Sequence, residues 1–287
     1  MKWGISSNSL TRAIAAKEMT VPDVIEWTAE AGGEHIEIVP IGYDLTRDPE
    51  LLQAIRSKAE QVGIDISNYT VRANFVTEDE TSLNQEIERV KQEVNIANEL
   101  GVKLMRHDVA SRPPGERSIV QFHKDLPILA EACRQIADYA SKFGITTSVE
   151  NHGYYMQASE RVQSLIHAVG RPNFKTTLDT GNFMCVDETA VHGVSNNIHL
   201  ASMVHLKDFY LRSGHRDPGQ GWFKTAGGNY LRGSIVGQGD IDIWEVLRII
   251  KGSGYDGYVS IEFEGMEECR SGTRTGLDNA KRIWNEV

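Results

Sequence analysis

Four side chains suited to holding a metal ion recur at one relative place in the chain. They are Glu150 in Thr147-Ser148-Val149-Glu150-Asn151-His152-Gly153, Asp179 in Thr177-Leu178-Asp179-Thr180-Gly181-Asn182, His205 in Val204-His205-Leu206-Lys207-Asp208, and Glu262 in Ser260-Ile261-Glu262-Phe263-Glu264. Each follows a short apolar run of the kind that fills a core. A carboxylate alone among such residues is costly, and a shared cation makes a convergence of several favourable. One imidazole and three carboxylates form a hard, oxygen-rich shell. It suits Mn²⁺ first, also Mg²⁺ or Co²⁺, and it can accept Zn²⁺. A structural zinc site would offer thiolates, which this set lacks.

For the four to meet, the elements carrying them must share one end of a fold. The chain alternates short β-branched runs with amphipathic helical stretches. Strands are expected at 2–6, 35–39, 64–71, 102–108, 145–151, 174–179, 203–209 and 258–263. Helices are expected at 21–32, 49–62, 83–100, 122–143, 159–169, 188–199, 244–251 and 276–287, several of them stopped by glycine. Such alternation reads as βαβ units with a parallel sheet. About eight units across 287 residues fit a closed (β/α)₈ TIM barrel. A doubly wound open sheet lacks its best support, since no GxGxxG follows the first strand. No linker divides residues 1–287, so one domain is expected. One stretch, 211–240, breaks the rhythm. It is glycine-rich, carries His215, Trp222 and Tyr230, and is too long for a simple βα loop. It reads as a substrate-covering excursion with a small hairpin.

Composition narrows the function. The chain is 40% hydrophobic and 24% charged, which favours a globular protein, and its net charge of −10 repels nucleic acid and anionic membranes. No apolar run is long enough to span a bilayer. Cys133, Cys185 and Cys269 form no CxxC pair and point to a reducing compartment. With Met1-Lys2-Trp3-Gly4-Ile5-Ser6 running straight into a strand, a cytoplasmic location is expected. The expected partners are a small carbohydrate and further copies of the same chain, with no nucleic acid and no membrane.

Ser-Val-Glu-Asn-His, Leu-Asp-Thr-Gly-Asn, His-Leu-Lys-Asp and Ser-Ile-Glu-Phe-Glu resemble the motifs of the sugar phosphate isomerase/epimerase superfamily. That superfamily has the xylose isomerase-like TIM barrel shared with the apurinic endonucleases (AP endonuclease family 2). The resemblance covers nearly the whole chain. It implies one divalent metal ion on Glu150, Asp179, His205 and Glu262, with Glu150 and Glu262 also flanking the substrate. A metal-stabilised enediolate then forms when one glutamate removes a proton beside a carbonyl. Return of the proton to the opposite face epimerises a sugar. Return to the next carbon isomerises it. The alternative outcome is expulsion of a leaving group from a keto-sugar, keto-glycoside or inosose, which makes the enzyme a lyase or dehydratase.

Further substrate contacts are expected from Glu37, His107, His152, Asn182 and Lys207, with Asp208 beside them. Asn182 stands where related epimerases often carry His. An amide can orient a hydroxyl but cannot shuttle a proton. The related endonucleases use several zinc ions and a richer histidine set, so DNA repair is disfavoured. A binding barrel without turnover is the remaining competitor.

Overall fold

A computed structural model describes residues 1–287. Its strands are β1 (Lys2–Ser6), β2 (His35–Ile38), β3 (Asp65–Val71), β4 (Leu104–His107), β5 (Thr146–Glu150), β6 (Phe174–Asp179), β7 (Ala201–Leu206), β8 (Asp208–Arg212), β9 (Phe223–Lys224), β10 (Tyr230–Ser234) and β11 (Tyr258–Ile261). β1 to β7 and β11 close into a parallel barrel in the order β1-β11-β7-β6-β5-β4-β3-β2. Helices fill the intervals and cover the barrel, as the alternation requires. Local chemistry sets their ends. Thr20 and Asp23 form a reciprocal capping box at the start of Val21–Glu30, while Asp48 caps Pro49–Val62 by accepting the Leu51 amide at 2.9 Å. No helix is long and apolar enough to cross a membrane.

Three expectations need correction. The segment read as one strand over 203–209 is two, because the chain leaves the barrel at Lys207. Asp208 makes that turn. Its carboxylate accepts the backbone N–H groups of Gly237 and Gly239 at 2.9 Å each, and of Ile241 at 3.3 Å. The excursion that follows is a three-stranded antiparallel sheet ordered β8-β10-β9, more regular than a lone hairpin. The closing helix begins at Cys269, not at Gly276, because Glu268 caps it through the Arg270 and Ser271 amides. Gly272 and Gly276 lie inside that helix against Phe263 and Ile261. A short helix at Thr11–Ala15 was not foreseen.

His35 is fully buried at the start of β2. Its Nδ1 lies 2.9 Å from Ser67 Oγ on β3 and its Nε2 lies 3.1 Å from the Val259 carbonyl on β11. Gly4 is its neighbour in register on β1. A Cβ on Gly4 would sit 2.1 Å from the His35 carbonyl oxygen and 2.6 Å from its ring. Gly4→Ala should therefore destabilise the fold by about 1–3 kcal/mol, the usual cost of overpacking, read by chemical denaturation. Burial lowers the His35 pKa to about 4, despite the Val259 carbonyl that favours its charged form. The unfolded chain takes up that proton nearer the ordinary value of about 6.5. Stability contributed by neutral His35 should thus be complete above pH ~6.5 and decline as pH falls towards about 4. An NMR titration showing the folded ring protonated near pH 6.5 would contradict this.

Candidate active site

Alternate residues of each strand face the barrel interior. Asp179 and Ser260 both pair in register with His205. Glu262 is two residues beyond Ser260 and stays in line, with its amide bonded to the Leu206 carbonyl at 3.0 Å. β5, β6, β7 and β11 are consecutive around the barrel. Glu150, Asp179, His205 and Glu262 therefore converge. All four are buried, and each offers a ligand atom within 4.8 Å of the others.

Neighbouring groups aim these side chains. Asp179 Oδ1 accepts the Gly181 and Asn182 amides at 2.8 Å each. That leaves Oδ2 turned inward without a hydrogen-bond partner, though Lys207 Nζ lies 3.2 Å away. His205 Nδ1 lies 3.3 Å from Glu150 Oε1 and 3.7 Å from Glu262 Oε2. Arg106 Nη2 stands 3.0 Å from Glu150 Oε2 and also pairs with Asp108. Lys207 Nζ stands 2.7 Å from Glu262 Oε2 and 3.2 Å from Glu264 Oε2. Asn8 donates to Glu262 Oε1 at 3.0 Å.

The electrostatics follow from this crowding. Burial works against charge on Glu150, but Arg106 and His205 hold its carboxyl below the usual range. Burial also opposes charge on Glu262, yet Lys207 and His205 hold it well below. Asp179 is the exception. Burial pushes it up to about 7, with Glu262 and Glu150 adding to the shift and Lys207 opposing it. Buried polar atoms normally find partners, whereas Asp179 Oδ2 and His205 Nδ1 have no hydrogen-bond partner. Three carboxylates and one imidazole suit a divalent cation, which would supply the missing partner and the missing positive charge.

Above the cluster is a cavity of about 180 Å³. Its wall includes Glu150 and Glu262, with Lys207 and His152 among the expected contacts. It also includes Asn8, Arg72, Arg106, Asp108 and Glu264, which the sequence had not singled out. Pleat parity was the available signal for Arg106. On β4 it faces inward, so the adjacent His107 faces the other way. His107 packs instead against Phe75 and Phe174, with ring centroids 5.8 and 6.0 Å apart. Glu37 is fully buried and is not in the wall. Asn182 sits beside the cluster, donating to Glu150 Oε1 at 3.3 Å and accepting from Lys207 Nζ at 3.2 Å. Asp208 is occupied by the backbone turn described above. The excursion's rings are not in the wall either. Trp222 lies 5.4 and 5.3 Å from the guanidinium carbons of Arg212 and Arg232, and Tyr230 lies 5.5 Å from Lys224 Nζ.

Residues 25–284 match the family described as the xylose isomerase-like TIM barrel, and the match places the chain in that family. An inosose dehydratase of Clostridium perfringens (strain 13 / Type A) is 23% identical over 143 residues. That match spans 47% of this chain and 46% of the relative, so under half of the relative's length is covered. The solved structure of a probable 3-DHS dehydratase, AsbF, involved in petrobactin synthesis in Bacillus anthracis, superposes with a TM-score of 0.76. The two are 14% identical, over 98% of this chain and 99% of that one. The IolI protein, solved with a bound zinc atom, gives a TM-score of 0.75 at 19% identity, over 100% and 99% of the two chains. At these identities the solved structures speak to the fold alone. Barrels of similar likeness include epimerases as well as dehydratases.

The ligand set predicts one divalent ion per chain by elemental analysis of protein prepared without chelator. Asp179→Asn or His205→Ala should remove most of it. Metal added to the stripped protein at about 100 times its Kd should stabilise the fold by about 2.7 kcal/mol. An unchanged melting temperature would count against the site.

Proposed function

We propose that this chain, which belongs to the xylose isomerase-like TIM-barrel family, is a divalent-metal-dependent isomerase or epimerase of a sugar or keto-sugar. The observation that carries the proposal is the pair Glu150 and Glu262. They lie on β5 and just past β11, with β6 and β7 between them, and both line the one small cavity above the cluster. A cavity of about 180 Å³ with a largely polar wall suits a single sugar-sized ring. Among ions Mn²⁺ is placed first, because the shell is mainly carboxylate. The zinc atom in IolI keeps Zn²⁺ in view. The bound cation would supply Lewis-acid charge for the oxygens of the enediolate.

The chain's own residues divide the proton work. Arg106, 3.0 Å from Glu150 Oε2, favours the ionised form a base needs. Glu262 faces the cavity from the other side and carries the proton to or from the opposite face. Lys207, 2.7 Å away, balances its charge. Arg72, Asp108, His152 and Asn8 are placed on the wall to orient hydroxyls. Return of the proton to the other face gives an epimer, and return to the adjacent carbon gives an isomer.

A second outcome, loss of water from a keto-sugar or inosose, is favoured by two observations. Epimerisation needs a proton carrier on each face of one carbon, whereas elimination needs a base at that carbon and a donor beside the hydroxyl that departs. Lys207 places a third donor on the cavity wall, and Asn182 replaces the histidine expected of a ketose epimerase. The dehydratase names of the relatives agree with that outcome.

Incubating the metal-loaded enzyme with ketoses, keto-glycosides and inososes in D₂O separates the outcomes. An isomeric sugar carrying deuterium beside the carbonyl supports the isomerase, and a product lighter by one water supports the dehydratase. Glu150→Gln and Glu262→Gln should each lower kcat by about 10²–10⁴-fold. Absence of exchange with every carbonyl sugar tested would contradict both.

A further inference from the structure

We propose that Glu37 is a positioning residue that fixes which nitrogen His205 presents to the metal ion. The proposal rests on Glu150, Asp179, His205 and Glu262 being the ion's ligands. Glu37 has no solvent exposure and no place in the cavity wall, so it acts through another group. A carboxylate so buried needs compensation. Oε1 receives Asn68 Nδ2 at 2.7 Å and Thr70 Oγ1 at 3.0 Å. Oε2 lies 2.8 Å from His205 Nε2, and neither of those two atoms has a hydrogen-bond partner elsewhere.

The sequence builds this bracket through a break in register. β2 and β3 pair His35 with Asp65 and Ile36 with Ile66, but Glu37 pairs with Asn68, so β3 carries one extra residue. Such a bulge re-aims side chains. It lets Ser67 serve His35 while Asn68 serves Glu37.

An ionised carboxylate can only accept, so the hydrogen of the imidazole belongs on Nε2, facing Glu37. Nδ1 is then left with its lone pair. It points where Glu150 Oε1 and Glu262 Oε2 lie, at 3.3 and 3.7 Å. Two donors on Oε1 hold the carboxylate against rotation, and the carboxylate holds the ring. Outer-shell carboxylates of this kind orient a metal-bound histidine and strengthen it as a ligand.

The test uses the full-length protein loaded with Zn²⁺, which is diamagnetic. In ¹⁵N-histidine NMR, His205 should carry hydrogen on Nε2 and coordinate through Nδ1. Glu37→Gln should raise the Zn²⁺ Kd by about 10–100-fold in competition with a chromophoric chelator. Coordination through Nε2, or an unchanged Kd in a folded Glu37→Gln protein, overturns the proposal. If Glu37→Gln does not fold, the wild-type spectrum decides alone. The ligand set is checked separately. Wild type should bind one Zn²⁺ and Asp179→Asn should lose it. A wild type that binds none, or an Asp179→Asn protein that binds as before, refutes the ligand assignment itself.

Discussion

Charge buried at one end of the barrel is the constraint on which the rest depends. Glu150, Asp179, His205 and Glu262 are all buried and largely withdrawn from water. Each would be expensive alone, so each must be compensated by what the neighbouring strands bring. Arg106 arrives from β4 for Glu150, and Lys207 from just past β7 for Glu262 and Asp179. Asn8, after β1, supplies a further donor. The closed parallel sheet makes this possible because it points the ends of all eight strands at one volume. Compensation within the chain stops short at Asp179, whose carboxyl burial drives up to about 7.

The two glutamates are held differently, and that difference matters for chemistry. Glu150 is tied to a guanidinium that stays charged at all working pH. Glu262 is tied to an ammonium that also touches the half-exposed Glu264. One side of the cavity is therefore a carboxylate against a guanidinium. The other is a carboxylate against an ammonium shared with the half-exposed Glu264. The two carboxylates thus present two unlike faces to the cavity.

Much of the barrel was legible in the chain. β1 and β6 fall where alternation places them, as do the helices Pro49–Val62 and Ser159–Val169. Each has strong end markers or a clean apolar period. The four clustered residues could be found because each polar group interrupts an apolar run at the same point of a βα repeat. The wall of the cavity was harder. His107 drew notice by its residue type, yet parity along β4 turns it away and turns Arg106 inward. Asn8 and Arg72 lie just beyond strand ends, where no local pattern tells a wall residue from a loop residue. The bulge that aims Asn68 at Glu37 is a matter of register between strands, which one chain's periodicity does not encode. Trp222 and Tyr230 belong to the stretch expected to cover the substrate, but Arg212, Arg232 and Lys224 stack on them instead.

The most direct test of the central claim is an anomalous-scattering map from crystals grown with Mn²⁺. It should show one strong peak about 2.0–2.3 Å from an oxygen each of Glu150, Asp179 and Glu262 and from His205 Nδ1. A map with no peak there, or with the ion bound by other side chains, would contradict the account.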